Sequence, residues 1–150
     1  MLANSKEIKV VADLNKLAWI DLVTFSDPAR GSLTVVQSGQ DIPFSIARIF
    51  YIYGSPKECE RGAHAHREAE QVFIAVSGSF SLDVTNVHKS NTYTLKEPNR
   101  AVYVPPFIWA RVHNFTSDAV CLVLTNTGYD PTDYIRDWDE YVSAVEKLTR

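Results

Sequence analysis

His64 and His66, in the run Arg61-Gly62-Ala63-His64-Ala65-His66, are the side chains of this sequence best suited to moving a proton. Side chains on a strand alternate between faces, so two histidines one residue apart point the same way. An imidazole titrates near pH 6.5 and both gives and takes a proton at neutral pH. A same-face pair in an enclosed site therefore suits proton abstraction beside a carbonyl. Gln71 opens the apolar run that ends at Gly78, whereas Glu70, one residue earlier, would face away from the histidines.

Three arginines, Arg30, Arg48 and Arg61, offer guanidinium forks that match a phosphate or pyrophosphate. Arg48 stands in the otherwise apolar stretch Phe44 to Tyr53. A charge there is costly to bury unless an anion or an internal carboxylate meets it, and both readings stay open. Arg30-Gly31 reads equally well as a turn with a solvated charge. Among the aromatic residues, Phe50, Tyr53, Tyr103 and Phe107 read as core. Tyr51 and Trp109 read as walls of a pocket for a sugar or a base, and the Tyr51 phenol can relay a proton. His88 and His113 show no evident partner and read as surface residues.

The elements that must hold these groups are short and β-rich: 8–11, 33–37, 45–53, 70–76, 79–85, 91–95, 101–104, 110–115 and 119–125. Asp27-Pro28, Arg30-Gly31, Ser38-Gly39, Gly54-Ser55-Pro56, Gly78, Glu97-Pro98-Asn99 and Pro105-Pro106 separate them as turn signals. Strands of this length and spacing predict an all-β sandwich or barrel. Only the end reads as helix. Asp130-Pro131-Thr132-Asp133 is a helix-capping signal, and Trp138, Tyr141, Val142, Val145 and Leu148 recur at helical spacing, a face expected to pack on the outside of the barrel.

At 150 residues and 45% hydrophobic, one domain spanning 1–150 with its own core is expected. A net charge of −3 supplies no basic field for nucleic acid or for a membrane surface. Cys59 and Cys121 are too few for a disulfide framework and read as free thiols in a reducing compartment. With no apolar signal core at the N-terminus and no run of membrane-spanning length, a soluble, cytoplasmic protein is expected.

The two chemical segments resemble the paired motifs of the cupins, in which His, His and Glu from the first motif and a last His from the second hold a divalent metal. Here Gln71 takes the Glu place and Ala110 the last His place, while His113 falls on the opposite strand face from position 110. Metal sites of this kind need three or four correctly placed ligands and the motifs supply two, so no metal and no cofactor are expected. The chain as a whole resembles the WxcM-like cupin group of nucleotide-sugar 3,4-ketoisomerases. Arg30-Gly31-Ser32-Leu33, Ile42-Pro43-Phe44-Ser45-Ile46, Arg48-Ile49-Phe50-Tyr51-Ile52, Arg61 to His66, Glu70-Gln71-Val72, Gly78-Ser79 and Tyr129 to Arg136 carry that resemblance.

The resemblance implies a cupin double-stranded β-helix, a jelly-roll barrel with a C-terminal helix. It implies a metal-independent isomerase acting on dTDP-4-keto-6-deoxyglucose during deoxy- and amino-sugar synthesis. His64 maps onto the base, with His66 beside it; the reading of the residues adds Tyr51 as a further catalytic group. Together the two readings make Arg30, Arg48, Arg61, Gln71, Trp109 and Ala110 the expected substrate contacts. Arg30 resembles the arginine of members whose product is galacto-configured at C4; members giving the gluco product tend to carry tyrosine there. A homodimer exchanging N-terminal strands is also implied. One departure stands out, because the residue after the tryptophan is commonly His or Arg in the family and here it is Ala110. A related cupin sugar epimerase, a metal-dependent cupin oxygenase and a non-catalytic nucleotide-sugar-binding cupin are the competing readings.

Overall fold

The structure, a computed structural model, describes residues 12–148, so the strand expected over 8–11 lies outside the described residues. The strands run β1 (Ala18–Asp21), β2 (Val23–Asp27), β3 (Gly31–Val35), β4 (Arg48–Tyr53), β5 (Arg61–His66), β6 (Gln71–Ser77), β7 (Phe80–Thr85), β8 (Ser90–Leu95), β9 (Arg100–Val104), β10 (Trp109–His113), β11 (Val120–Thr125) and β12 (Tyr134–Ile135). The helix α1 (Trp138–Leu148) follows. Two antiparallel five-stranded sheets, ordered β1-β9-β6-β11-β4 and β12-β5-β10-β7-β8, face each other, and β2-β3 form a separate hairpin. This is the cupin-like all-β architecture with a C-terminal helix expected above.

The side-chain alternation explains why these segments are strands. On β6, Phe73 and Ala75 enter the core between the sheets with Phe80, Leu82, Val84, Val102, Val104, Val112, Cys121 and Val123. Val72 and Ile74 point the other way and are covered by Leu22, Ile42 and Phe44. Both faces of β6 are thus dry, which is why it reads as a continuous apolar run and not as an alternating one. The tight β6–β7 turn depends on Gly78, whose φ is +59° and whose position has no room for a Cβ, Ala119 Cα standing 2.8 Å from where one would be.

Strand boundaries shift by one to three residues, and four strands carry no strong sequence signal. The hairpin strand β2, the strand β1 and the two-residue β12 were not expected, and β5, with Gly62 and two histidines, has little intrinsic strand character. The capping signal at Asp130 serves a different element. Asp130 Oδ1 accepts from the Thr132 amide to cap a 3₁₀ turn over Pro131–Asp133. The chain then pairs as β12 with β5 before α1 begins, with Asp137 accepting from the Glu140 amide as the helix cap. Tyr141 and Val145 bury against Ala65 and Ile135, so α1 packs on the outer face of the β5 sheet, while Trp138 and Leu148 stay about 40% exposed.

Candidate active site

The local backbone of β5 aims His64 inward. Gly62 sits at φ +93°, and an added Cβ there would lie 3.0 Å from the Ala110 carbonyl oxygen, so only glycine lets β5 approach β10 so closely. Ala63 follows with φ +54°, a left-handed conformation uncommon for alanine, and the β5–β10 register shifts between Ala110 and Arg111. Strained residues and bulges of this kind re-aim side chains at functional sites. Ala65 then turns to the helix side and is fully buried, leaving His64 and His66 on the inner face.

His64, paired in register with Ala110, borders a cavity of about 340 Å³ between the sheets, in the size range of small-molecule sites. Phe50, Ile52, Phe73, Leu82 and Val112 give it apolar walls; Gln71, Tyr134, Arg61, Arg111 and Arg136 give it polar ones. Burial, with help from neighbouring His66, pushes the His64 imidazole from its ordinary 6.5 down to about 4, although a hydrogen bond with the Gly62 backbone opposes this and Arg136 adds to it. His64 is therefore a neutral base at physiological pH. Its Nδ1, His66 Nε2 and Arg48 Nε are buried with no hydrogen-bond partner among the described residues.

His66 stands one layer deeper. Its ring meets that of His64 edge-on at 4.9 Å and that of Tyr134 at 4.3 Å, and its Nδ1 lies 2.9 Å from Asp133 Oδ2. Tyr134 also sits 4.9 Å from His64, centroid to centroid, and carries the Arg136 guanidinium 4.3 Å above its ring. Asp133 arrives on the turn before β12, Tyr134 on β12 itself and Arg136 directly after it. No local pattern marks them, and the only signal in the sequence was their place inside the family-matching segment Tyr129 to Arg136.

The other expected site residues divide. Gln71, 5% exposed, and Ala110, 8% exposed, both reach the cavity, and Glu70 turns away to accept from the Tyr103 hydroxyl. Arg61 borders the cavity from its exposed strand end. Arg48 meets no carboxylate among the described residues; its guanidinium lies over the rings of Phe50 and Tyr129 at 5.3 and 5.6 Å. Tyr51 borders the cavity from the edge strand β4 with its ring mostly exposed, 5.7 Å from that of Tyr53. Three, Arg48, Trp109 and Arg30, do not line the cavity of this chain. Trp109 faces the opposite way from Ala110 and packs edge-on against Trp138 at 5.3 Å and near Tyr141 at 5.4 Å. Arg30 sits at the tip of the β2–β3 hairpin, paired with Asp27. His113, expected to lack a partner, lies 2.9 Å from Asp83 Oδ2. Asp83 and Glu60 also engage Arg111, whose charge is thereby committed, whereas Arg61 and Arg136 meet no carboxylate among the described residues.

The first-motif places settle what the donors can hold. Among the described residues no three His, Cys, Asp or Glu side chains converge as metal ligands. What converges instead is a pair of imidazoles, one with a carboxylate behind it, beside a cavity rimmed by guanidinium groups. Residues 15–146 match the family model described as FdtA: WxcM-like, C-terminal. The TDP-4-oxo-6-deoxy-alpha-D-glucose-3,4-oxoisomerase of Aneurinibacillus thermoaerophilus is 38% identical over 120 residues, 80% of this chain and 86% of that protein. The sugar 3,4-ketoisomerase QdtA from Thermoanaerobacterium thermosaccharolyticum, solved in complex with TDP, superposes with a TM-score of 0.86 at 34% identity, covering 89% of this chain and 97% of that one. The TDP-quinovose 3,4-ketoisomerase WlaRB from Campylobacter jejuni superposes with a TM-score of 0.82 at 32% identity, covering 87% and 99%. By the family model and by the curated relative alike, the chain belongs to the FdtA-type, WxcM-like family.

Proposed function

We propose that this protein is a nucleotide-sugar 3,4-ketoisomerase that converts TDP-4-keto-6-deoxyglucose to its 3-keto isomer without a metal or cofactor. The observation that carries this reading is His64, a neutral imidazole bordering the inter-sheet cavity in a family whose relatives are 3,4-ketoisomerases. The C4 ketone acidifies the proton on C3. His64 takes that proton, the C3–H electrons form a C3=C4 bond, and O4 gains a proton to give the enediol. Loss of the O3 proton then restores a carbonyl at C3 as C4 takes up a proton, so the sugar ends isomerised with no net redox change. Donors placed where negative charge develops lower the barrier most, and Tyr134 and Gln71 border the cavity where such donors are needed. The guanidinium groups of Arg61, Arg136 and Arg48 suit the diphosphate.

The reading includes a homodimer. The edge strand β4 presents Ile49, Tyr51 and Tyr53, and the β2–β3 hairpin presents Val23, Phe25 and Leu33, all at least half exposed, which is the apolar edge a second copy would cover. Arg30 lies outside its own chain's cavity, so its assigned influence on a galacto-configured product requires the hairpin of a second copy. The free thiols Cys59 and Cys121 fit a reducing, cytoplasmic location. Incubation with TDP-4-keto-6-deoxyglucose in deuterated water, followed by NMR, tests the reading: a deuterated 3-keto sugar is expected, and His64→Asn lowers turnover about a hundredfold or more. Substrate bound but unchanged makes the protein a binding module; a C3 or C5 epimer makes it an epimerase.

A further inference from the structure

His66 is 4% exposed and does not border the cavity, yet its ring is held by the partly buried carboxylate of Asp133. That carboxylate is itself pinned. Asp133 Oδ1 accepts from the Glu68 amide at 2.6 Å, Oδ2 accepts from the Ala69 amide at 3.3 Å, and the Arg67 amide donates to the Asp133 backbone carbonyl at 2.9 Å. With backbone donors on both oxygens, the carboxylate presents His66 with a hydrogen-bond acceptor. The His66 nitrogen 2.9 Å from Oδ2 must then carry hydrogen, and a neutral imidazole with Nδ1–H has a bare Nε2. Nε2 is the ring atom left buried without a partner among the described residues. A buried acceptor with nothing to accept from costs free energy, and such atoms are kept where they do chemistry.

We propose that Asp133 is a positioning residue of the isomerisation, fixing His66 as the Nδ1–H tautomer so that its bare Nε2 serves as a second proton acceptor behind His64. The proposal rests on the ketoisomerase reading. It fits that reaction, which removes one proton from carbon and another from oxygen in each turnover and so has use for two proton acceptors. A proton arriving at Nε2 forms an N–H bond from the ring lone pair and makes an imidazolium whose charge Asp133 offsets. It leaves from the same nitrogen when the product is protonated, so the pair ends each cycle unchanged. The surroundings agree with a neutral resting imidazole. Burial pushes the His66 pKa down most, the hydrogen bond and charge of Asp133 push it up, Arg48 and Arg136 push it down, and the net direction is down.

The test is the ring ¹⁵N chemical shifts of His66 at pH 7 without substrate, read by long-range ¹H–¹⁵N correlation, in the whole protein and in Asp133→Asn. In that variant the new amide keeps its carbonyl oxygen on the Glu68 backbone N–H, and its NH₂ group takes the Oδ2 place, where it donates to Nδ1. The expected result is Nδ1–H in the native protein and Nε2–H in the variant, with kcat lowered about a hundredfold, the scale of an acid–base contribution, and KM unchanged. In a His66→Asn background, Asp133→Asn should cost nothing further, because its partner is gone. An Nε2–H tautomer in the native protein overturns the proposal even if the variant fails to fold. So does an equal loss of kcat with and without His66, which marks Asp133 as merely structural. The two failures stay distinguishable from loss of the function itself, since native protein that makes no 3-keto sugar refutes the ketoisomerase reading while the tautomer is read without substrate.

Discussion

Lowering the pH separates this site from an ordinary histidine base. An imidazole at its usual pKa of 6.5 is about 90% protonated at pH 5.5, so an enzyme relying on it would keep roughly a tenth of its kcat/KM. His64, pushed down to about 4 chiefly by burial and then by His66, is only about 3% protonated at that pH. The profile of kcat/KM, which reports the free enzyme, is therefore expected to stay flat from pH 7.5 to about 5 and to fall with a midpoint near 4. Stability moves in the same direction and has to be separated from it. The unfolded chain protonates His64 near pH 6.5, whereas the folded chain does so near 4. Between those values the unfolded state binds more protons, and stability declines as pH falls, by up to roughly 3 kcal/mol. Initial rates of 3-keto sugar formation, measured by NMR across pH 4 to 8 with each sample returned to pH 7.5, distinguish reversible titration from unfolding. A reversible acid limb near pH 6.5 would show that the base is a solvated imidazole and that His64 does not fill the role.

Four further outcomes follow from particular contacts. Gly78→Ala places a side chain 2.8 Å from Ala119 Cα at φ +59°, and should cost at least about 2 kcal/mol, lowering the melting temperature by roughly 4–8 °C in calorimetry. Tyr141→Phe removes the hydroxyl that donates to the Phe107 carbonyl at 2.8 Å, and should lower the urea midpoint by the equivalent of about 1–2 kcal/mol with the m-value unchanged. Ala110→His returns an imidazole to the strand position opposite His64, and NMR product analysis should find sharper selectivity with the same galacto-configured main product; a mainly gluco product from the native protein would remove Arg30 as the determinant. Exhaustive chelation should leave turnover intact, because Gln71 and Ala110 occupy two of the motif's ligand places, and activity lost with a bound metal and restored by it would contradict this.

Strand parity alone was enough to place several site residues. It put Gln71 on the inner face and turned Glu70 away, and it set the two histidines together. Applied consistently, the same rule excludes Trp109 from the cavity, since it neighbours the inward Ala110; its partners Trp138 and Tyr141 lie about thirty residues on, beyond any local pattern. Asp133 and Tyr134 were hidden for the same reason, reaching His66 from the far end of the chain. The Asp130 signal is a true cap but belongs to a different helix from the one expected, because capping chemistry is the same for a 3₁₀ turn as for an α-helix. Arg48 shows the opposite case: its cost of burial was legible, while the aromatic faces of Phe50 and Tyr129 that receive it were not.

The attachment of β12 sets the order in which this protein fails. Tyr134 and Ile135 pair with β5, and around them the segment is held by the Asp133 bonds to His66, Glu68 and Ala69, by the Arg67 contacts and by Tyr141 of α1. The two large sheets close without it. Short, locally held units of this kind open with less free energy than the body they sit on. Such an opening would carry off Asp133, Tyr134 and Arg136 while leaving His64 on an intact barrel. Catalytic silence should then precede melting. In rising urea, amide exchange at Ile135 should quicken, and turnover should vanish, at concentrations where the circular dichroism of the sheets is still native.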